Sequence, residues 1–495
     1  MSEPELVIEH GNEVFHVEVR GFDHIPEPER NMSLRHVDYL WVGTSVNLLS
    51  FALGALTITL GLNLWLGFVA CILGSIAYAY IGIGSIVTVR AGLPVSTLAR
   101  AAFGMRGNGL NALLSWIASV AFEVINTIFG VEAVLAFFRL CGWSDPGSTG
   151  KLLAVLLQLV MCGGIAVLGH ATMIWFQRIF SALIGFALLL VLAFTVARVD
   201  WAHASIARVP MAGQSSLAVL MAATAVVASN PLSFLFNGPD WVRYLPRRTS
   251  GRAIFRHVFW ASFLPSVLLC LMGAYCATLG DVADPVAGLK PFVPGWLFVI
   301  YIAAVIGGSL ANSVPTYYSS GLTLQALGLR VHRYIATAAD VIASTLITLY
   351  ILFVKDFTAT LNDFVSLLIV WVGPYGGVWI ADAYLRRCRY DAAAIHASRR
   401  AGPYWGLQGV NPAGFLALVV GMVLAALSMT SPLYEGPLAR TLGGADLSWL
   451  LGFPVSASLY LLLSVALERR RADETRSCGP MPRRATCSTR RSSSV

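Results

Sequence analysis

The chain has 495 residues, 57% of them hydrophobic and only 12% charged, where a soluble protein carries about 25% charged residues. So few charges cannot cover a water-facing surface, which excludes a soluble multidomain enzyme, a disordered chain and, despite the net charge of +8, a nucleic-acid-binding protein. The 8 cysteines are too scattered for a disulfide framework or a metal cluster, so no metal site and no cofactor is expected.

Residues 1–36 are polar and include the run Pro26-Glu27-Pro28-Glu29-Arg30. They lack the apolar core of a signal peptide and read as a cytoplasmic segment. A transmembrane domain is predicted over 37–468. Twelve apolar runs lie at 37–60, 63–89, 109–138, 151–169, 175–197, 216–238, 257–280, 294–326, 334–354, 361–385, 411–430 and 447–467. Each is close to the roughly 20 residues that a helix needs to cross a bilayer. The predicted fold is therefore an all-α polytopic membrane protein with twelve transmembrane helices. Lys and Arg concentrate in alternate connections, including Arg243, Arg247, Arg248, Arg252 and Arg256 in one loop. This bias puts both termini in the cytoplasm of a cell-membrane protein. Residues 469–495 read as a basic, disordered tail that leans on anionic lipid.

Non-helical backbone at membrane depth survives only where it lines a cavity. In the first span, Thr44-Ser45-Val46-Asn47-Leu48-Leu49-Ser50 places polar and small residues at the centre. In the sixth, Ser229-Asn230-Pro231-Leu232-Ser233-Phe234 carries a proline that removes a backbone donor. A broken helix and a kinked packing helix are both open readings there. Two interrupted helices five spans apart suit a five-plus-five inverted repeat, about 37–197 and 216–385, with peripheral helices at 411–467. In the eighth span, Ser309, Asn312 and Ser313 share a face beside Pro315. That face suits a ligand or ion site, or polar glue between helices. In the third span, Phe122 and Asn126 stand one turn apart, and Glu123 lies well inside the apolar run. An ionisable residue there is costly and points to function. Glu123 reads as a proton carrier or as a structural carboxylate bonded to a neighbouring helix.

Four segments carry a family resemblance. They are Ala91-Gly92-Leu93-Pro94 through Phe103-Gly104-Met105-Arg106-Gly107, Pro239-Asp240-Trp241-Val242-Arg243-Tyr244, Ala311-Asn312-Ser313-Val314-Pro315 with Tyr318-Ser319-Ser320-Gly321-Leu322, and Gly373-Pro374-Tyr375-Gly376-Gly377 through Asp382. Together they resemble the nucleobase–cation symport family 1, in its purine–cytosine permease branch, over about residues 30–430. The resemblance implies a leucine-transporter-like fold and cation-coupled import of a purine, cytosine or related heterocycle by alternating access. The same family also includes carriers of allantoin, hydantoin and vitamin-like rings. It implies stacking of the ring on Phe122, edge recognition by Asn126 and Asn312, and contacts from Ser50 and the Asn230–Pro231 break. Phe234 stands one turn from the place where relatives put a second aromatic. Sodium-coupled members use span-eight hydroxyls with span-one carbonyls; here that pair falls on Ala311 and Asn312, with Ser309, Ser313 and Asn47 close by. With Glu123 available, the coupling ion reads as a proton ahead of sodium. Arg100 and Asp240 read either as an inner gate pair or as separate headgroup anchors. Asp382 reads as a partner for a loop arginine. The remaining partner is the lipid bilayer; the sequence is silent on oligomeric state.

Overall fold

In a hydrocarbon slab each backbone N–H and C=O must find its partner within the protein, and the apolar runs of this chain do so as helices. The computed structural model describes residues 14–16, 21–199, 201–204, 215–280, 282, 286–328, 331–354, 357–396, 402–431 and 434–477. Among these, 10 helices are long and apolar enough to cross a membrane, and one bent pair makes an eleventh. The spans are, in order, Leu34–Ser45 with Leu48–Thr59, Leu64–Ala91, Gly107–Leu140, Gly147–Leu168, His170–Val196, Ser216–Ser233, Gly251–Leu279, Gly295–Ala326, Arg333–Val354, Phe357–Leu385, Pro412–Ser428 and Ser448–Ser477. Pro412–Ser428 is apolar but shorter than the others. Each of the twelve expected spans thus has its helix. The last helix runs on to Ser477; of the expected tail, residues 478–495 lie outside the described residues.

Span one is broken as expected: its halves bend by 50° at Val46–Asn47. Asn47 causes the restart by accepting a hydrogen bond from the Ser50 N–H at 2.9 Å, an N-cap in mid-membrane. Span six corrects the sequence reading. The helix runs straight through Pro231 to Ser233 and only then gives way to short turns, Phe234–Phe236 and Gly238–Val242. Proline's fixed φ is itself helical. The turn after the helix ends where Asn237 leaves helical geometry (φ −138°), and Pro239 follows in the next turn. The interruption considered at Asn230–Pro231 therefore lies further along, between Ser233 and Asn237.

Spans three and eight form the most extensive helix pair, and the second half of span one packs closely on span seven. Spans ten, eleven and twelve pack on one another. Between spans two and three, Gly92 (φ +67°) turns the chain into a buried helix, Val95–Phe103. This re-entrant helix lies within the first of the four segments that carry the family resemblance. Beneath it lies part of the N-terminal segment. Arg30 donates to the Val89 carbonyl (2.8 Å), Ile25 N–H to Gly92 O (3.0 Å), Phe22 N–H to the Gln325 amide oxygen (3.2 Å), and Arg243 to Gly21 O (3.1 Å).

Asp382 is fully buried near the end of span ten and is shared by three donors. These are Tyr460 of span twelve (2.6 Å), Arg386 (2.9 Å) and Tyr390 (3.1 Å). It ties the peripheral helices to the bundle. An Asp382→Asn variant is expected to unfold at a lower temperature in detergent, by roughly 1–3 kcal/mol for a weakened charged network. Its substrate affinity should be unchanged. A shift in affinity without loss of thermal stability would contradict this structural role.

Candidate substrate cavity

A cavity of about 280 Å³ opens where the two interrupted spans meet spans three and eight. Leu49 of span one, Phe122 and Asn126 of span three, Asn230, Ser233, Phe234 and Asn237 at the end of span six, and Asn312 and Thr316 of span eight line it. Among the described residues, no Lys, Arg, Asp or Glu reaches its wall.

The polar side chains are held in place by one another. Asn126 donates from its amide to the Phe122 carbonyl (2.8 Å) and to the Asn312 amide oxygen (2.9 Å). Asn312 in turn donates to the Thr44 carbonyl at the span-one break (2.9 Å). Asn230 donates to the Ser50 hydroxyl (2.9 Å), and Ser50 meets Ser266 of span seven (3.2 Å). Asn237 keeps a buried amide oxygen with no hydrogen-bond partner, an acceptor that a ligand N–H would satisfy. Phe234 is fixed by an aromatic cluster, edge-on to Trp41 at 5.8 Å and stacked on Tyr78 at 6.4 Å. The site thus brings together one aromatic side chain from span three, a second from span six, and the amides of four asparagines.

Five of the expected contact residues meet here: Phe122, Asn126, Asn230, Phe234 and Asn312. Two do not. Ser50 lies behind Asn230 and positions it, while its neighbour Leu49 faces the cavity. Pro231 stays inside the helix, off the cavity wall. Leu49, Ser233, Asn237 and Thr316 escaped the sequence reading. Thr316 was legible, since it follows Asn312 by one turn.

The expected cation cage is built differently. The Thr44 carbonyl accepts from Asn312 and, at 3.2 Å, from the Asn47 amide. The Ala311 carbonyl accepts from the Gln177 amide of span five. Ser309 donates to Ile306 O (2.8 Å) and meets Gln158 of span four (3.3 Å). Ser313 turns toward Cys162 of span four. The Thr44 and Ala311 carbonyls and the Ser309 hydroxyl are thus each already engaged with protein groups. A second cavity, of about 330 Å³, lies beside the span-one break and is lined by Asn47 and mostly apolar residues of spans five, seven and eight.

Arg100 and Asp240 are both buried but serve different partners. Arg100 donates to the carbonyls of Ala326 (2.9 Å) and Ile395 (3.4 Å). Asp240 accepts from Val95 N–H (2.6 Å), and the charge that faces it is Arg243. Arg100 and Asp240 thus serve the re-entrant helix as two separate anchors. Glu123 is fully buried next to Phe122 and is not part of the cavity wall.

The fold and sequence have clear relatives. The purine-cytosine permease fcyB of Emericella nidulans is 24% identical, over 90% of this chain and 88% of that protein. The hydantoin permease of Microbacterium maritypicum is 23% identical, over 82% of each chain. Among solved structures, Mhp1, a nucleobase-cation-symport-1 family transporter in a closed conformation with bromovinylhydantoin bound, superposes with a TM-score of 0.72 at 17% identity, covering 91% of this chain and 96% of that one. That likeness establishes the twelve-helix, leucine-transporter-like fold. Residues 24–452 match the family described as permeases for cytosine/purines, uracil, thiamine and allantoin, and across that length the chain belongs to this family of membrane transporters.

Proposed function

We propose that this permease imports an uncharged nucleobase, a purine or cytosine, together with a proton, across the cell membrane by alternating access, with both termini in the cytoplasm. The observation that carries the reading is the chargeless cavity of one aromatic face and four asparagines at the junction of spans one and six. A neutral planar ring with N–H and C=O groups on its edge suits a wall of aromatic rings and amides. The permease relatives named for purines and cytosine support the same class. The relative named for hydantoin and the hydantoin-bound neighbour favour a second cargo, a five-membered ring carrying the same alternating N–H and C=O edge. The arginine-rich loop at 243–256 supports the orientation.

A proton is favoured over sodium because Asn312, Asn47 and Gln177 occupy the carbonyls that a sodium ion would use. Alternating access follows from linkage: substrate and ion together stabilise an occluded state that neither stabilises alone. Uptake of radiolabelled cytosine, adenine, hypoxanthine, allantoin and a hydantoin into a transport-deficient host tests this. Saturable uptake of cytosine or a purine, abolished by a protonophore and unchanged in sodium-free medium, is the expected result. Uptake that needs sodium would refute the ion, and uptake of none of the rings would refute the cargo class.

A further inference from the structure

Spans three and eight each present two faces, and only one of them meets the cavity. On span eight, Asn312 and Thr316 line the cavity. Ser313, Tyr317 and Ser320, at i, i+4 and i+7 on the adjacent face, turn to a second seam shared with spans three, four and nine. On span three the same split separates Phe122 and Asn126 from Glu123 and Thr127.

Two carboxylates meet in that second seam. Asp340 of span nine is fully buried. One of its oxygens accepts from the Trp116 indole N–H at 2.6 Å, the other from the Ser320 hydroxyl. Glu123, also fully buried, faces the Asp340 carboxylate and the Ser320 hydroxyl. Neither Glu123 oxygen has a hydrogen-bond partner. The other titratable groups around Glu123 are Tyr317 of span eight and Cys162 of span four; those seen by Asp340 are limited to Glu123. Arg333, a further cation on span nine, donates to the carbonyls of Ala166 (3.2 Å) and Val167 (2.9 Å) instead. Among the described residues, the two acids thus face one another with no ion pair to a cation.

We infer that Glu123 and Asp340 form a proton-sharing carboxyl pair that carries the coupling proton in a site separate from the cargo cavity. The inference rests on the proton-symport reading above and adds the second acid, the stoichiometry and the place. Two uncompensated charges facing each other in a low-dielectric seam are far costlier than one, and a single proton held between them removes that cost. The pair then has one vacancy. A proton arriving from water forms an O–H bond on the free carboxylate oxygen and makes the pair neutral; release breaks that bond and returns the proton to water on the other side. One positive charge moves per cycle. Communication with the cargo is short, because adjacent residues do both jobs: Phe122 next to Glu123, Asn312 next to Ser313, Thr316 next to Tyr317. Tyr317 itself bonds Ser344 of span nine at 2.9 Å, so a shift of span eight against span nine reaches both seams.

The test uses purified full-length protein in proteoliposomes holding a pH-sensitive dye, with cytosine and hypoxanthine as probes. Wild type should show substrate-driven proton entry. Asp340→Asn and Glu123→Gln should each lose that proton entry and accumulation against a gradient. Asp340→Asn should still bind the probe with wild-type affinity, measured by calorimetry, because it lies off the cavity wall; this also shows that the variant folds. Infrared difference spectra on wild type should contain a protonated carboxyl C=O band that either substitution removes. Substrate-driven proton entry persisting in Asp340→Asn, or a carboxyl band surviving both substitutions, would overturn the pair while leaving the permease reading intact. Failure of wild type to bind any ring would instead strike the cargo reading. Sodium-driven uptake by wild type would overturn both the ion assignment and the pair.

Discussion

Truncating Asn312 to alanine is expected to raise the apparent Kd for the transported ring by about tenfold and to reduce uptake. The side chain makes three contributions at once. It lines the cavity, it accepts from Asn126 and so sets the direction of that amide, and it donates to the Thr44 carbonyl at the break in span one. Removing it leaves one buried Asn126 N–H without its acceptor, at a cost of about 1–3 kcal/mol, and leaves the Thr44 carbonyl only its bond from Asn47, where 1.4 kcal/mol is roughly tenfold in affinity. Part of that cost falls on the ligand-free protein, so the figure for binding is taken from the lower half of the range. Asn312→Asp separates the parts: it keeps an acceptor for Asn126 and loses the donor to Thr44. Calorimetric binding and initial-rate uptake check both variants, and an unchanged Kd for Asn312→Ala would remove Asn312 from the recognition site.

The second large effect concerns stability. Gly54 of span one and Gly273 of span seven stand where the two backbones touch. A Cβ on Gly54 would meet the carbonyl of Cys270, and one on Gly273 the carbonyl of Phe51. Small residues permit this approach in membranes, where packing rather than hydrophobicity drives helix association. A valine at Gly273 has no side chain to push aside, only main chain, so the helices must separate along the contact. The expected cost exceeds the usual 1–3 kcal/mol of overpacking. Gly273→Val and Gly54→Val should give little monodisperse protein on fluorescence-detected size exclusion, with Gly273→Ala intermediate. Gly185→Ala, at a span-five position with open space around it, should behave as wild type. Normal yield and melting temperature for Gly273→Val would contradict the close crossing.

Much of this architecture is legible along the chain because hydrocarbon thickness dictates helix length, so twelve apolar runs became twelve helices. The break in span one was legible for a local reason: Asn47 carries its own cap. The end of span six was harder. Proline draws the eye, yet its ring fits a helix, and the interruption lies between Ser233 and Asn237. Residues that share a turn on one long helix, as Phe122 and Asn126 do, come together on the cavity wall, a pattern that periodicity records. Ser50 escapes it, because which of Leu49 and Ser50 faces inward depends on the rotation of a half-helix after a 50° bend, and no periodicity records that. Asp340 was passed over because a lone carboxylate about two turns from the start of its span resembles one anchored at the interface. Only the packing of spans three, eight and nine brings it to Glu123.

The two-faced build of span eight constrains how carriers of this kind diversify. Any exchange at Asn312 or Thr316 is one residue from Ser313 or Tyr317, so retuning what is carried there disturbs the acidic seam behind it. The wall contributed by span six is different: Asn230 leans on Ser50 and Ser266, and Ser233 donates to the Asn230 carbonyl at 2.6 Å, all of them neutral groups. New ligand preferences can therefore accumulate at Ser233, Phe234 and Asn237 without altering the energetics of the driving gradient, and a mutant library aimed at altered cargo belongs on that wall.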